Sequence, residues 1–237
     1  MKLLAFETAT EACSVALWID GEVRERFEVA PRRHAELSLP WAEALLAEAG
    51  LARSQLDALA ASRGPGAFTG VRLGISLVQG IALALDRPVV AVSTLAVLAA
   101  RAAAPDGAPR HVLASIDARM GEVYAGTFAL RDGDVASLGL ETVGAAASVD
   151  LPQDAAKWHG IGTGFAAGDN ALAQRLGARL AQVDAAGLPH AGDLARLAAH
   201  AAGRGELMAP ERVEPAYLRN QVALTLAEQQ ALRKDRQ

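Results

Sequence analysis

Apolar and polar positions open the chain as three strands. Lys2 to Thr8 reads as the first and Ser14 to Ile19 as the second, with the polar turn Ala9 to Ala12 between them. Asp20-Gly21 is a hairpin signal, and Glu22 to Val29 continues as a third strand with approximate alternation at Val23, Phe27 and Val29. The period then changes. Between His34 and Glu48, Leu37, Trp41, Ala44 and Leu45 share one helical stripe. Pro40 marks either a late helix start or a kink, and Gly50 ends the segment. Leu56 to Ala61 reads as a strand. Val71 to Leu85 predicts a second helix, apolar on two sides: Val71, Ile75, Val78, Ala82 and Leu85 form one stripe, and Leu73, Leu77 and Ile81 another. Such a helix has to be covered twice, by its own sheet and by either the first helix or a partner subunit. Pro88 to Val92 reads as a buried strand and Thr94 to Ala103 as a helix.

Ala104 to Pro109 is the clearest linker, and the pattern restarts beyond it. Val112 to Asp117 is a strand ending in an acid, as the first strand ends near Glu7. A turn at Ala118 to Gly121, a strand from Glu122 to Leu130, Asp132-Gly133 and the segment Val135 to Leu138 repeat the earlier order. This predicts an internal duplication. Residues 139 to 156 are less patterned. Trp158 to Ile161 reads as a short strand, and helices are expected over Asn170 to Ala181 and Asp193 to Ala202. The expected organisation is an α/β protein of two similar lobes, residues 1–104 and 110–223, followed by a polar tail, 224–237, read as a frayed helix or disordered. That plan resembles the duplicated actin-like/ribonuclease H-like (ASKHA) fold shared by actin, sugar kinases and heat-shock ATPases. In that fold the hairpin after the first strand holds phosphates with an acid and nearby hydroxyls.

Of the 237 residues 51% are hydrophobic, enough for a sizeable core. Twenty-three basic against 27 acidic residues leave a net charge of −4, a poor footprint for independent nucleic-acid binding. Any RNA contact is therefore expected to run through a partner. The single cysteine, Cys13, excludes an internal disulfide framework. No uninterrupted apolar run reaches the length of a membrane helix, and Glu7 comes too early for a signal peptide. The expected location is cytoplasmic.

The glycine-rich run Ser62 to Gly74 lies between a strand and a helix, so it is either a tight turn or a place where backbone amides meet an anion. It lacks the lysine of a phosphate loop. Glu7, Thr8, Thr10 and Ser14 crowd the first hairpin. They are either a phosphate and magnesium site or hydroxyls satisfying a turn. Asp117, Arg119 and Glu122 occupy the matching turn of the second half, where an internal ion pair is the simpler account. The five histidines are never three or four residues apart, so no helical pair can hold a metal, and none is expected. There is no G-x-S-x-G elbow. Tyr217-Leu218-Arg219-Asn220 is read as a surface turn or a docking segment.

Glu7 to Leu17, Arg63 to Gly74, Val92 to Leu95, Ile116 to Tyr124 and Glu214 to Asn220 together resemble the TsaB (YeaZ) family, in that family's order and over nearly the whole chain. The resemblance implies a subunit of the machinery that makes N6-threonylcarbamoyladenosine (t6A) beside the tRNA anticodon. It implies that this chain is a non-catalytic scaffold for the TsaD transferase, joined by the TsaE ATPase, with tRNA reached indirectly and a homodimer formed when alone. No cofactor is then held tightly by this chain, and ATP or ADP with magnesium belongs to the assembled complex. The transferase carries a metal-binding histidine pair on the helix that here reads Thr94 to Arg101, without histidine or acid. Glu7 departs from the family pattern, where many relatives carry Asp. The helices after His34 and Thr69 form the family's partner face, so His34, Trp41, Leu45, Gly70, Val71, Gly74, Ile75 and Val78 are the expected interface residues. The rival reading is an actin-like ATP-binding phosphotransferase or hydrolase acting on its own through Glu7 and the Gly64 to Gly70 loop.

Overall fold

The computed structural model describes residues 1–104, 106–153 and 157–219. Three strands, β1 (Lys2–Glu7), β2 (Ala12–Ile19) and β3 (Glu22–Val29), form an antiparallel meander. Helix α1 (His34–Glu48), strand β4 (Ala58–Ser62), helix α2 (Phe68–Leu85), strand β5 (Val89–Val92) and helix α3 (Thr94–Ala100) follow. The second half holds β6 (Arg110–Arg119), β7 (Glu122–Arg131), β8 (Asp134–Ser137), β9 (Thr142–Ala145), β10 (Trp158–Ile161), α4 (Ala167–Leu176), β11 (Leu180–Asp184) and α5 (Ala191–Gly203).

The two sheets repeat one plan. The first runs β3-β2-β1-β4-β5, and the second runs β8-β7-β6-β10-β11 with β9 added beside β7. In each, a meander supplies two antiparallel pairings, and the central strand then pairs in parallel with the first of two strands reached by crossovers. The expected duplication is therefore present strand for strand. Pro40 lies inside α1, which begins at His34, so it marks no late start.

Packing redraws the lobes expected at 1–104 and 110–223. Helix α5 lies on the first sheet: Ala191, Leu194, Ala195 and Ala198 are buried with Leu3, Ala5, Ala16 and Ala60. Val213 joins the core formed by Leu4, Phe6, Leu59 and Val78, and Met208 bridges to Val89. The chain thus returns to its first lobe after β11, where the apolar stripe of α5 is buried against β1, β2 and β4. The tail expected from residue 224, and Asn220, lie outside the described residues.

Two strands escaped the pattern. β11 is short and mostly exposed, and its first residues read as the end of the preceding helix. β9 lies in the weakly patterned stretch and pairs only at an edge. Helix α2, with 18 residues and mean hydropathy 1.6, is long and apolar enough to cross a membrane by length and composition alone, although Arg72 and Gln79 interrupt its apolar run. Here it lies across the first sheet with Gly70, Val71, Gly74, Ile75, Val78 and Ala82 buried.

Candidate functional site

The turn after β1 is closed from within. Glu7 is fully buried; its Oε1 accepts the Ala9 N–H at 2.8 Å, and its Oε2 has no partner. Burial pushes the Glu7 carboxyl up to about 7, against the opposing pull of the Ala9 N–H and the Ser62 hydroxyl. Thr8 donates from Oγ1 to the Gly70 carbonyl at 2.7 Å. Ser14 donates to Glu25 at 2.6 Å and accepts the Ala191 N–H at 3.0 Å, which fastens the start of α5 to β2. Glu25 also accepts the Gly192 N–H at 3.0 Å, and His190 stacks on Phe27 with ring centroids 3.9 Å apart. Burial raises the Glu25 carboxyl, but the bonds from His190, Ser14 and Gly192 outweigh it and hold the group low.

These contacts account for three of the four residues expected at a phosphate site. Glu7, Thr8 and Ser14 are buried and spent on internal contacts, because the hairpin is pressed against α2 and α5; only Thr10 of the four lines open space. Thr10 accepts a long 3.4 Å bond from the Ala12 N–H. The glycine-rich run serves that close approach. A Cβ on Gly66 would lie 2.4 Å from the Ala9 carbonyl oxygen, and one on Gly70 2.0 Å from that of Thr8.

Above the turn is a cleft of about 930 Å³. The β1–β2 turn, residues before α1, the start of α2, the β6–β7 hairpin and the segment 216–219 all contribute to its walls. At its rim Arg72 donates from Nε to the Tyr217 hydroxyl at 2.7 Å, with its guanidinium 3.5 Å from the centre of the Phe68 ring. Phe68 and Tyr217 are 59% and 51% exposed. On the far wall Arg119 pairs with Asp117 at 2.9 Å, and Arg219 pairs with Glu122 and donates to the Ala118 carbonyl at 3.1 Å. The matching turn therefore carries internal ion pairs, as its composition suggested. Ala67, the residue before α2, supplies no side-chain cap to that helix. Among the described residues, no group of three His, Cys, Asp or Glu side chains is placed to hold a metal.

Most of the stripe of α2 expected to face a partner is turned into this chain's own core. Val71, Ile75 and Val78 are buried in this chain's own core, as is Leu45 of α1. Gly70 and Gly74 make room for Thr8, just after β1: a Cβ on Gly74 would lie 2.7 Å from Thr8 Oγ1. Trp41 is partly buried against the same core, and His34 shares its Nε2–H between the Thr10 and Ala12 carbonyls at 3.0 and 3.1 Å. Leu77 and Ile81 are half-buried, part of their surface against the same core; beside them toward solvent lie the half-buried Leu73, with Ser76, Gly80, Ala84 and the 61% exposed Leu83. Periodicity separated the two stripes but had no means of telling which one the sheet covers. The Phe68–Arg72–Tyr217 cluster joins positions 145 residues apart and had no local signal.

Paired sheets of this order define a duplicated actin-like/ribonuclease H-like α/β protein. A family model described as tRNA N6-adenosine threonylcarbamoyltransferase, TsaD, matches residues 27–225. The chain is 42% identical over 227 residues to the tRNA threonylcarbamoyladenosine biosynthesis protein TsaB of Escherichia coli strain K12, covering 94% of this chain and 96% of that one. A second protein of that description, from Haemophilus influenzae, is 48% identical over 124 residues, 52% of each chain. The solved structure of YeaZ from Pseudomonas aeruginosa superposes with a TM-score of 0.84 at 50% identity, covering 92% of this chain and 99% of that one. The chain belongs to the TsaB (YeaZ) family, within the wider TsaD group.

Proposed function

We propose that this chain is a non-catalytic scaffold of cytoplasmic t6A synthesis, which docks a TsaD-type transferase on the exposed face of α2. The observation that carries the reading is that face itself: Leu73, Leu77, Ile81 and Leu83 flank the small residues Ser76, Gly80 and Ala84, which let a partner helix approach closely. Burying such a face contributes roughly 25 cal/mol per Å² of apolar area, offset in part by the entropy of association. The internal use of Glu7, Thr8 and Ser14 supports the non-catalytic half of the reading. TsaE, tRNA and any ATP or ADP with magnesium then join the assembled complex, and the same face supports self-association when the partner is missing.

Leu83→Glu and Ser76→Arg test it. Each is expected to weaken binding of the TsaD-type partner at least about tenfold, because a charge or a bulky side chain would be buried at the centre of the contact. Both positions are exposed, so circular dichroism and melting temperature should stay within about 2 °C of the parent. Unchanged affinity in both folded variants refutes the assignment. Val78→Glu is unsuited to the purpose, since it places a charge in the core.

The rival, an ATP phosphotransferase, draws support from the cleft and from the first-turn amides of α2, which lack a side-chain cap. Calorimetry of the isolated chain with ATP and magnesium separates the two. The scaffold reading expects no turnover; micromolar binding with hydrolysis favours the rival.

A further inference from the structure

We propose that Glu7 is a proton-operated latch on the start of α2, and that it thereby sets the affinity of the α2 face for its partner; this second consequence rests on the scaffold reading. Three hydrogen bonds connect the carboxyl to the helix. The Ala9 N–H donates to Glu7 Oε1 at 2.8 Å, the Ala67 N–H donates to the Ala9 carbonyl at 2.7 Å, and the Val71 N–H donates to the Ala67 carbonyl at 2.9 Å. Thr8 reinforces the link through Gly70 at 2.7 Å. The approach of Gly66 and Gly70 to the Ala9 and Thr8 carbonyls leaves no room for compliance. A displacement of the Thr8–Ala9 turn must therefore move the first turn of α2.

The carboxyl has a reason to displace that turn when it loses its proton. Glu7 Oε2 is buried without a partner, and so is the Thr94 hydroxyl. A neutral carboxyl in this setting places no charge in the core and can exchange a hydrogen bond with Ser62. An ionised one leaves a carboxylate oxygen unsolvated, which only water or movement relieves. Residues Ala9 to Glu11, directly beyond Glu7, line the cleft and so offer the route to water. Burial places the proton's release near neutrality, where small changes in pH shift the population.

The groups around the carboxyl are few. Ser14 lies opposite Glu7 on β2, the Ser62 hydroxyl on β4 is near enough to pull the carboxyl's pKa down, and the Cys13 thiol on β2 feels its charge. Glu25 and His190 reach it only through Ser14. His34 is the other ionisable side chain bonded to the turn, through the Thr10 and Ala12 carbonyls. No cation faces Glu7 among these, so nothing nearby neutralises its charge.

Amide hydrogen exchange of the intact chain at pH 6, 7 and 8, corrected for intrinsic rates, reads the latch without any partner. Protection over residues 66–74 is expected to fall about fivefold or more from pH 6 to pH 8 in the parent and to be flat in Glu7→Gln. Dissociation constants for the TsaD-type partner should rise in parallel in the parent alone. Flat protection in the parent overturns the latch, as does a pH dependence that survives Glu7→Gln and vanishes in His34→Gln. Should Glu7→Gln fail to fold, carbon-13 titration of the Glu7 carboxyl in the parent decides: a midpoint near 7 that coincides with the exchange transition supports the latch, and one below 5 overturns it. pH-dependent protection with no partner binding at any pH supports the latch and refutes the scaffold reading instead.

Discussion

Gly70→Ala is expected to destabilise the fold by roughly 3 kcal/mol, a fall of about 6–12 °C in melting temperature for a chain of this size. The added methyl would sit 2.0 Å from the Thr8 carbonyl oxygen, and that oxygen is backbone immediately after the central strand. It cannot swing aside as a flexible side chain would, so either β1 bends or α2 lifts. Lifting α2 also breaks the 2.7 Å bond from Thr8 to the Gly70 carbonyl and loosens Val71, Ile75 and Val78 in the core. Gly80→Ala in the same helix is the control. Nothing lies within 4 Å of its prospective Cβ, so it gains about 0.5–1 kcal/mol of helix propensity and melts a few degrees higher. Thermal melts of the two variants should diverge in sign. Equal, small shifts would show that the contact between α2 and β1 is not the tight seat described.

The same contact explains why part of the architecture was legible in sequence and part was not. The strands β1 to β3 and β6 to β8 were readable because turn residues and the hairpin dipeptides Asp20-Gly21 and Asp132-Gly133 punctuate them locally. The duplication was readable because it repeats that punctuation. The path of α5 was not, because its stripe of Leu194, Ala195 and Ala198 states only that the helix needs a cover. Which sheet supplies that cover is settled by packing between residues far apart in sequence. Glu7 shows the same limit at the site. A carboxyl beside Thr8, Thr10 and Ser14 in a hairpin suits a phosphate site equally well until Gly66, Gly70 and α5 close over it. On α2, spacing separated two apolar stripes, and only the position of the sheet buried Val71, Ile75 and Val78 fully while leaving Leu77 and Ile81 half-buried against the same core and Leu83 exposed.

Glu7→Gln is expected to stabilise the protein at pH 8 and to leave it little changed, or slightly weaker, at pH 5. The folded carboxyl is raised from 4.5 to about 7, so the native state holds its proton over a range in which the unfolded chain has released it. Its contribution is fully present below 4.5 and is lost as pH rises through about 7. A displacement of that size corresponds to an energy on the order of 3 kcal/mol between the two ends of the window. The amide of Gln is the same shape as the carboxyl, accepts the Ala9 N–H and carries no charge. It should recover about 1–2 kcal/mol at pH 8, a rise of roughly 3–6 °C in melting temperature. Burial also raises the Glu141 and Asp193 carboxyls, so the variant keeps a weaker decline toward alkaline pH. On the acid side both proteins should lose stability alike, because Glu25, held low chiefly by its bonds from His190, Ser14 and Gly192 against burial, must take up a proton there. Melting curves at half-unit steps from pH 5 to pH 9 check the sign. Parallel curves for parent and variant would mean that Glu7 is already solvated in the folded chain, and the buried carboxyl would then have no hold on α2.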